Sequence, residues 1–400
     1  MSGLISVSEA LALIQANRPH PETETVPIEQ ALGHRLAEPV IAQRTHPPAP
    51  MSAMDGYAVR LHDVSQTIAK LRVSGEAPAG RPFGGALGPG EAVRIFTGSV
   101  IPDGADTVII QENVTREDEK ITSLQAYEKP AHIRAAGLDF ATGDTLIDAG
   151  TRLRAEHVSA AAASNNPVVQ VERRLRVGLL ANGDELRPPG SDLKPGEIIN
   201  SNPYGLKALV EGWGGEAVDL GIAGDSVEAI EAILENARDV DVFVPIGGAS
   251  VGDHDHMRTA FNNRGFEPVF EKIAVRPGKP TWFSKAPDAL VLGLPGNPAS
   301  AMVCAHLFLS QLLGVDWGKS LVKGKLKGDV GANGPREHFM RARLSFDEEG
   351  GFEIDSTINQ DSSLLRPFLT CNVLLRREPS APALSAGANA EALLIGPILP

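Results

Sequence analysis

From residue 174 onward the chain alternates short apolar runs with longer amphipathic stretches. RLRVGLLANG (174–183), EAVDLGIAGD (216–225), DVDVFVPIGG (239–248) and ALVLGLPGNP (289–298) each run apolar into a glycine-bearing turn, which predicts four buried strands. Between them, NSNPYGLKALVEGWGG (200–215) predicts a helix opening near Asn202–Pro203, and SVEAIEAILENAR (226–238) predicts one capped by Ser226. PASAMVCAHLFLSQLLG (298–314) predicts a further helix with Pro298 at its start and Asn297 as N-cap. Strands alternating with helices imply βαβ units and a parallel sheet, whose ligands sit at the carboxyl ends of the strands.

The rest of the chain has a different rhythm. Residues 1–20 read as an amphipathic helix with a capping box from Ser6 to Glu9. Residues 45–145 carry short β-branched runs such as TVII (107–110) between closely spaced turns, and read as mostly β. TRLRAEHVSAAAASNN (151–166) predicts a helix that stops before Pro167. HFMRARLSF (338–346), GFEIDSTI (351–358) and CNVLLRRE (371–378) predict a small terminal β-barrel or sandwich, followed by a tail rich in Ala and Pro.

At 400 residues the chain is too long for one core, so two to four domains are expected. The net charge of −13 argues against a nucleic-acid partner. Any anion site must therefore be built locally from backbone N–H groups and a few Lys or Arg. Two cysteines, Cys304 and Cys371, form neither a disulfide framework nor a Cys metal site, and Cys304 in its apolar run reads as core. No basic segment precedes the apolar start and no apolar run nears the ~20 residues of a membrane span, so a cytoplasmic protein without membrane contact is expected.

Several loops carry candidate chemistry. Gly183-Asp184-Glu185-Leu186 follows a strand with a tight turn and two carboxylates. Gly247-Gly248-Ala249-Ser250-Val251-Gly252 can form an anion-binding nest, with Asp253 and Asp255 suited to Mg²⁺, a cation that prefers oxygen ligands and bridges phosphates. His254 and His256 flank Asp255 but have no third ligand nearby for zinc. Pro295-Gly296-Asn297, at a helix start, suits an oxyanion. Val275-Arg276-Pro277-Gly278-Lys279-Pro280 holds two cations on a stiff segment, with Lys272 upstream. Met54-Asp55-Gly56-Tyr57 and Thr97-Gly98-Ser99 place a carboxylate and a hydroxyl beside glycine turns. Each loop also has an ordinary reading as a turn, a cap or solvated charge. Together they point to phosphoryl, nucleotidyl or oxyanion chemistry with Mg²⁺, without naming a substrate.

In order along the chain, MDGYA (54–58), TGxxxP (97–102), GDEL (183–186), GGxSxGxxD (247–255), RPGKP (276–280) and GLPGNPxS (293–300) resemble the MoeA family, which includes the gephyrin E domain. The similarity spans almost the whole chain. It implies a multidomain α/β and β fold with four parts. These are a central α/β parallel-sheet (MogA-like) domain over 1–22 plus 174–318, a small linking α+β domain over 23–44 plus 146–173, a β-rich insertion over 45–145, and a C-terminal β-barrel-like domain over 319–400. It implies a molybdopterin molybdenumtransferase, which inserts molybdate into adenylylated molybdopterin with metal-dependent loss of AMP. It further implies a homodimer whose active site is shared between subunits, with a molybdopterin adenylyltransferase and molybdoenzyme-maturation proteins as partners. The residues that match the family's catalytic positions are Asp55, Thr97, Arg134 (in an RxxGxD element), Glu185, Asp225, Asp255 and Lys272, with Glu185, Asp225 and Asp255 for Mg²⁺. Gly183, Gly247, Gly248, Ser250, Arg276, Lys279, Pro295, Gly296, Asn297, Ser300, Arg341 and Ser362 match positions for substrate or molybdate.

This chain departs from the family pattern at Ala181-Asn182, where a Ser or Thr pair is expected, at Pro245-Ile246, and at Arg276, where Lys is frequent. The carboxylates and glycines are kept. Two other classes share the α/β sheet: a non-catalytic scaffold, which would lack the carboxylates or carry a long extra linker, and a pterin adenylyltransferase, which would lack MDGYA and the flanking β-domains.

Overall fold

The four apolar runs from residue 174 do become neighbouring strands. In the computed structural model, which describes residues 3–65, 68–248, 256–347 and 349–397, Glu216–Ala223, Arg176–Asn182, Val242–Ile246 and Leu290–Gly293 pair in that order, all parallel. Every residue of Val242–Ile246 is buried, as a strand covered on both faces requires. Two further strands, Trp282–Lys285 and Glu267–Phe270, extend the sheet antiparallel at one edge, so the sheet is mixed rather than purely parallel. EPVF and WFSK are too short to show a period. Only their packing identifies them: Phe261 meets Phe266 and Trp282 edge-on at 5.1 and 5.9 Å, contacts worth roughly 0.5–1.5 kcal/mol each beyond their burial.

The helices follow most of their signals. Ser6 Oγ accepts the Glu9 N–H at 3.1 Å to start Val7–Ala16, and Ser226 Oγ accepts the Ala229 N–H at 3.1 Å to start Val227–Asn236. Asn202–Gly212 carries Pro203 in its first turn. The expected single helix over 298–314 instead runs as α over Pro298–Cys304, π over Ala305–Leu309 and α again over Ser310–Leu312. A bulged turn of this kind is a property of packing, here around a buried His306 set edge-on to Trp213 at 5.3 Å.

The terminal segment closes into a barrel. Glu337–Phe346, Phe352–Asp355, Leu321–Leu326, Asn389–Leu394 and Val373–Arg377 pair in sequence around a ring, and the last returns to pair with the first. Closure removes free edges. Val275–Arg276 adds to Glu337–His338 in parallel, tying the RPGKP loop to the barrel.

By their contacts, residues 1–21 with 174–400 form one compact unit and residues 22–173 another. The second unit holds a six-stranded sheet in the order Thr107–Ile110, Gly56–Val59, Glu91–Ile95, Lys70–Ala77, Lys120–Ser123, Val114–Glu117. It also holds the ladder Thr23–Pro27 with Val168–Glu172. Its helix over Ala155–Ala163 is shorter than predicted, Asn165 turns the chain out at φ +69°, and a short helix spans Leu61–Val64. Among the described residues no helix is long and apolar enough to cross a membrane.

Two buried histidines make stability pH-dependent. Burial pushes His306 down to about 4. His338 is also pushed down to about 4, first by burial and then by the guanidinium groups of Arg276, Arg336, Arg341 and Arg377. The unfolded chain protonates both near the ordinary value of about 6.5. Their contribution is therefore complete above pH ~6.5 and is lost as pH falls toward about 4. Urea unfolding at pH 7 and pH 5 should differ by about 2 kcal/mol per histidine, and His338→Gln should remove about half of that difference. Equal stability at the two pH values would contradict the burial of neutral imidazoles.

Candidate active site

The carboxyl ends of the parallel strands converge on a cavity of about 620 Å³, lined by Glu185, Gly247, Gly248, Pro295, Gly296 and Asn297 among others. Glycine is needed where these loops touch. Gly248 has φ +67°, and a Cβ there would lie 2.7 Å from Asn182 Oδ1. A Cβ on Gly296 would sit 3.4 Å from Gly247 Cα, so two loops meet backbone to backbone. Asn182 bridges the strand ends: its Nδ2 donates to Gly224 O at 3.1 Å and reaches Ala223 O at 3.4 Å. The departure from Ser or Thr at this position thus replaces a short hydroxyl by a longer amide that spans two loops.

The other walls are cross-tied. Asn202 Nδ2 donates to Gly296 O at 2.8 Å. Asn297 occupies the N-cap position, but its side chain does not cap the helix; Nδ2 donates to Ser362 Oγ at 3.2 Å instead. Ala299 N donates to Ser362 O at 3.0 Å, which fixes that serine beside the loop. Arg341 is 1% exposed, and its two terminal nitrogens donate to Leu364 O and Asp361 O, each at 2.9 Å. It therefore braces the loop that carries Ser362. Ser300 is buried in the first turn of Pro298–Cys304.

Arg276 and Lys279 are exposed on either side of Gly278, and Pro280 reaches the cavity wall. Lys272 is half-buried, and its carbonyl accepts the Ile5 N–H at 3.2 Å. The four guanidinium groups that depress His338 concentrate positive charge in this part of a strongly acidic chain. Such local focusing suits a dianion.

Asp225 is not on the cavity wall. Its Oδ2 accepts the Asp184 N–H at 3.4 Å, while Asp184 Oδ1 accepts the Asp225 N–H at 3.3 Å. Ser250, Asp253, His254 and Asp255 lie outside the described residues. Among the described residues no group of three or more His, Cys, Asp or Glu side chains converges on a metal position. The donors present still fit Mg²⁺: Glu185 faces the cavity as an oxygen ligand beside anion-type loops, and Mg²⁺ is commonly held by one or two carboxylates with substrate phosphates completing its shell.

In the unit of residues 22–173, Asp55 and Thr97 are directly joined. Asp55 Oδ1 accepts the Thr97 N–H at 2.7 Å and the Thr97 hydroxyl at 2.8 Å. The backbone bond first, then the hydroxyl, with a smaller contribution from Arg94, holds the Asp55 carboxyl below its usual range. Gly56 has no room for a side chain, because a Cβ would overlap the Ile109 carbonyl. Arg94 stacks over Tyr57 and Phe96 at 5.2 and 4.8 Å, pinning the MDGYA strand beside the TGxxxP turn. Arg134 is exposed on Ile133–Arg134, which pairs with Met51–Ser52 just before Asp55.

Comparison with known proteins matches the same regions. Residues 5–165 match the MoeA N-terminal region (domain I and II), 178–314 the probable molybdopterin binding domain, and 323–395 the MoeA C-terminal region (domain IV). A molybdopterin molybdenumtransferase of Haemophilus influenzae is 34% identical over 397 residues, covering 96% of this chain and 97% of that protein. One from Nostoc is 36% identical over 337 residues, covering 81% and 77%.

The chain belongs to the MoeA family of molybdopterin molybdenumtransferases.

The crystal structure of a MoeA protein from Pyrococcus horikosii agrees, with 30% identity and a TM-score of 0.83 over 99% of this chain and 100% of that one. The expected fold class is borne out, with the antiparallel edge strands as its amendment. Sequence reasoning did not find the wall formed by Ile198, Ile199, Asn200 and Ser201, nor Ser363. The signal in NSNP (200–203) was spent on the helix start, although its asparagine amides also face the cleft.

Proposed function

We propose that this chain binds adenylylated molybdopterin in the strand-end cavity and exchanges AMP for molybdenum, completing the molybdenum cofactor. The observation that carries this reading is the cavity itself. It has nucleotide-scale volume, about 620 Å³, with backbone-lined glycine loops and the Glu185 carboxylate on its wall. Water adds to one phosphorus of the pterin–AMP phosphoanhydride as the bridging P–O bond breaks, so that AMP leaves with one phosphate and the pterin keeps the other. Molybdate is taken up by the dithiolene sulfurs, and one of its oxygens departs as water. A bound Mg²⁺ supplies charge neutralisation at the phosphoanhydride oxygens. Glu185 on the cavity wall would hold it together with Asp255, and Asp225, off the wall and tied to Asp184, is the weakest of the three positions. The loop amides orient the phosphates, and Arg276, Lys279, Ser300 and Ser362 orient molybdate, with Arg341 acting through the Ser362 loop. A molybdopterin adenylyltransferase supplies the substrate, and maturation proteins of molybdoenzymes receive the product.

The cleft is completed in a homodimer by Asp55 and Thr97 of the second subunit. Refolded mixtures of Asp55→Ala and Glu185→Ala chains test this. Half of randomly paired dimers carry one of each, and each such dimer has one intact shared site, so about a quarter of wild-type AMP release returns. No recovery in verified mixed dimers would place both residues in one chain's site. The activity itself is tested by AMP release from adenylylated molybdopterin with Mg²⁺ and molybdate.

A further inference from the structure

The segment from Asp184 to Asn200 leaves the strand Arg176–Asn182 and returns at the helix Asn202–Gly212. At its neck, Leu186–Arg187 and Ile198–Ile199 pair in parallel, with Ile198 N donating to Glu185 O at 2.9 Å and Asn200 N to Arg187 O at 2.8 Å. Two bridging residues on each side are too few to hold a flap by backbone alone. One side chain adds the remainder. Arg187 Nη1 donates to Asp184 O at 2.9 Å and to Leu186 O at 2.7 Å, the carbonyls two residues apart that flank Glu185. Its Nη2 donates to Glu197 Oε1 at 2.7 Å, across the neck. Glu197 Oε2 accepts the Lys194 N–H at 2.8 Å, and Gly190 and Gly196, both at φ +91°, turn the intervening loop. The Glu197 side chain is 13% exposed and its carboxyl is held below the usual range, first by the Lys194 N–H and then by Arg187.

We propose that the Arg187–Glu197 pair is a latch: it ties down the Asp184 and Leu186 carbonyls on either side of Glu185 and holds the 184–200 flap as a wall of the cleft, so that it acts on the reaction by positioning Glu185 for the divalent metal. Neither side chain lines the cavity, so both are positioning residues. The inference rests on the reading of Glu185 as a metal ligand.

The test measures Mn²⁺ binding to the full-length protein by the loss of the free-ion electron paramagnetic resonance signal, beside hydrogen exchange at the Ile198 and Asn200 amides. Glu185→Gln, Arg187→Met, Arg187→Lys and Glu197→Gln are compared. Arg187→Met and Glu197→Gln are expected to weaken Mn²⁺ binding about 10-fold, the usual range for residues that orient a ligand, and to speed exchange at both amides. Arg187→Lys is expected to fall between, since one ammonium cannot span two carbonyls and a carboxylate. If Glu185→Gln weakens Mn²⁺ binding while Arg187→Met and Glu197→Gln do not, the latch is wrong and the metal reading stands. If Glu185→Gln itself leaves Mn²⁺ binding unchanged, the metal reading fails and the latch fails with it. Should Arg187→Met not fold, Glu197→Gln and Arg187→Lys decide the matter by the same readouts.

Discussion

Glu185→Gln is expected to lower metal-dependent AMP release by at least about 100-fold and to leave the melting temperature within about 2 °C of wild type. The change is isosteric, so the flap keeps its bonds: Leu186 N to Gly183 O at 3.1 Å and Ile198 N to Glu185 O at 2.9 Å use only backbone atoms. It removes the carboxylate charge that faces the cavity. That charge backs onto Gly183, where a Cβ would come within 2.5 Å of Oε2. Raising Mg²⁺ should recover part of the rate, because the substrate phosphates still provide ligands. Undiminished AMP release with normal Mg²⁺ dependence would remove Glu185 from the metal site.

Gly278→Ala, beside the cleft, is expected to be strongly destabilising. Gly278 has φ +113°, and a Cβ would overlap Cys304 Sγ. Thr281 closes the same turn, its hydroxyl donating to Gly278 O at 2.8 Å and lying 3.2 Å from Cys304 Sγ. Burial pushes the Cys304 thiol up to about 12, which keeps it a neutral packing group in the protein. Backbone strain and overpacking should together cost about 2–5 kcal/mol and lower the melting temperature by roughly 5–15 °C. Cys304→Ala in the same chain should return part of the loss by opening space, while the strain at φ remains. Because Arg276 and Lys279 flank this turn, half-saturating molybdate should rise as well. A wild-type melt for Gly278→Ala would mean that the turn is not packed as described.

Legibility in the sequence followed the physical signal. The four parallel strands announce themselves because a strand buried on both faces is a continuous apolar run, and each ends in glycine. Ser6 and Ser226 are legible because N-cap chemistry is local. Asn297 is the counter-example: the residue type suits a cap, but Ser362, 65 positions away, takes its amide. Arg341 shows the same limit. The resemblance gives it as an anion position, and only the folded chain shows two carbonyls meeting its guanidinium in the interior. The edge strands Glu267–Phe270 and Trp282–Lys285 and the π turn at Ala305–Leu309 have no local signature, since tertiary packing sets them. Of the candidate site, the glycines, Glu185 and the Asp55–Thr97 pair are visible as motifs. The latch and the Asn200–Asn202 wall needed the structure, because their partners lie across a loop neck.

The most direct measurement is AMP release by the purified protein from adenylylated molybdopterin with Mg²⁺ and molybdate, followed by addition of the product to a molybdenum-free apo-enzyme. Molybdate-dependent AMP release with activation of the apo-enzyme is the predicted result. Tight binding of adenylylated molybdopterin with neither AMP release nor activation would contradict it and make the protein a carrier of that nucleotide.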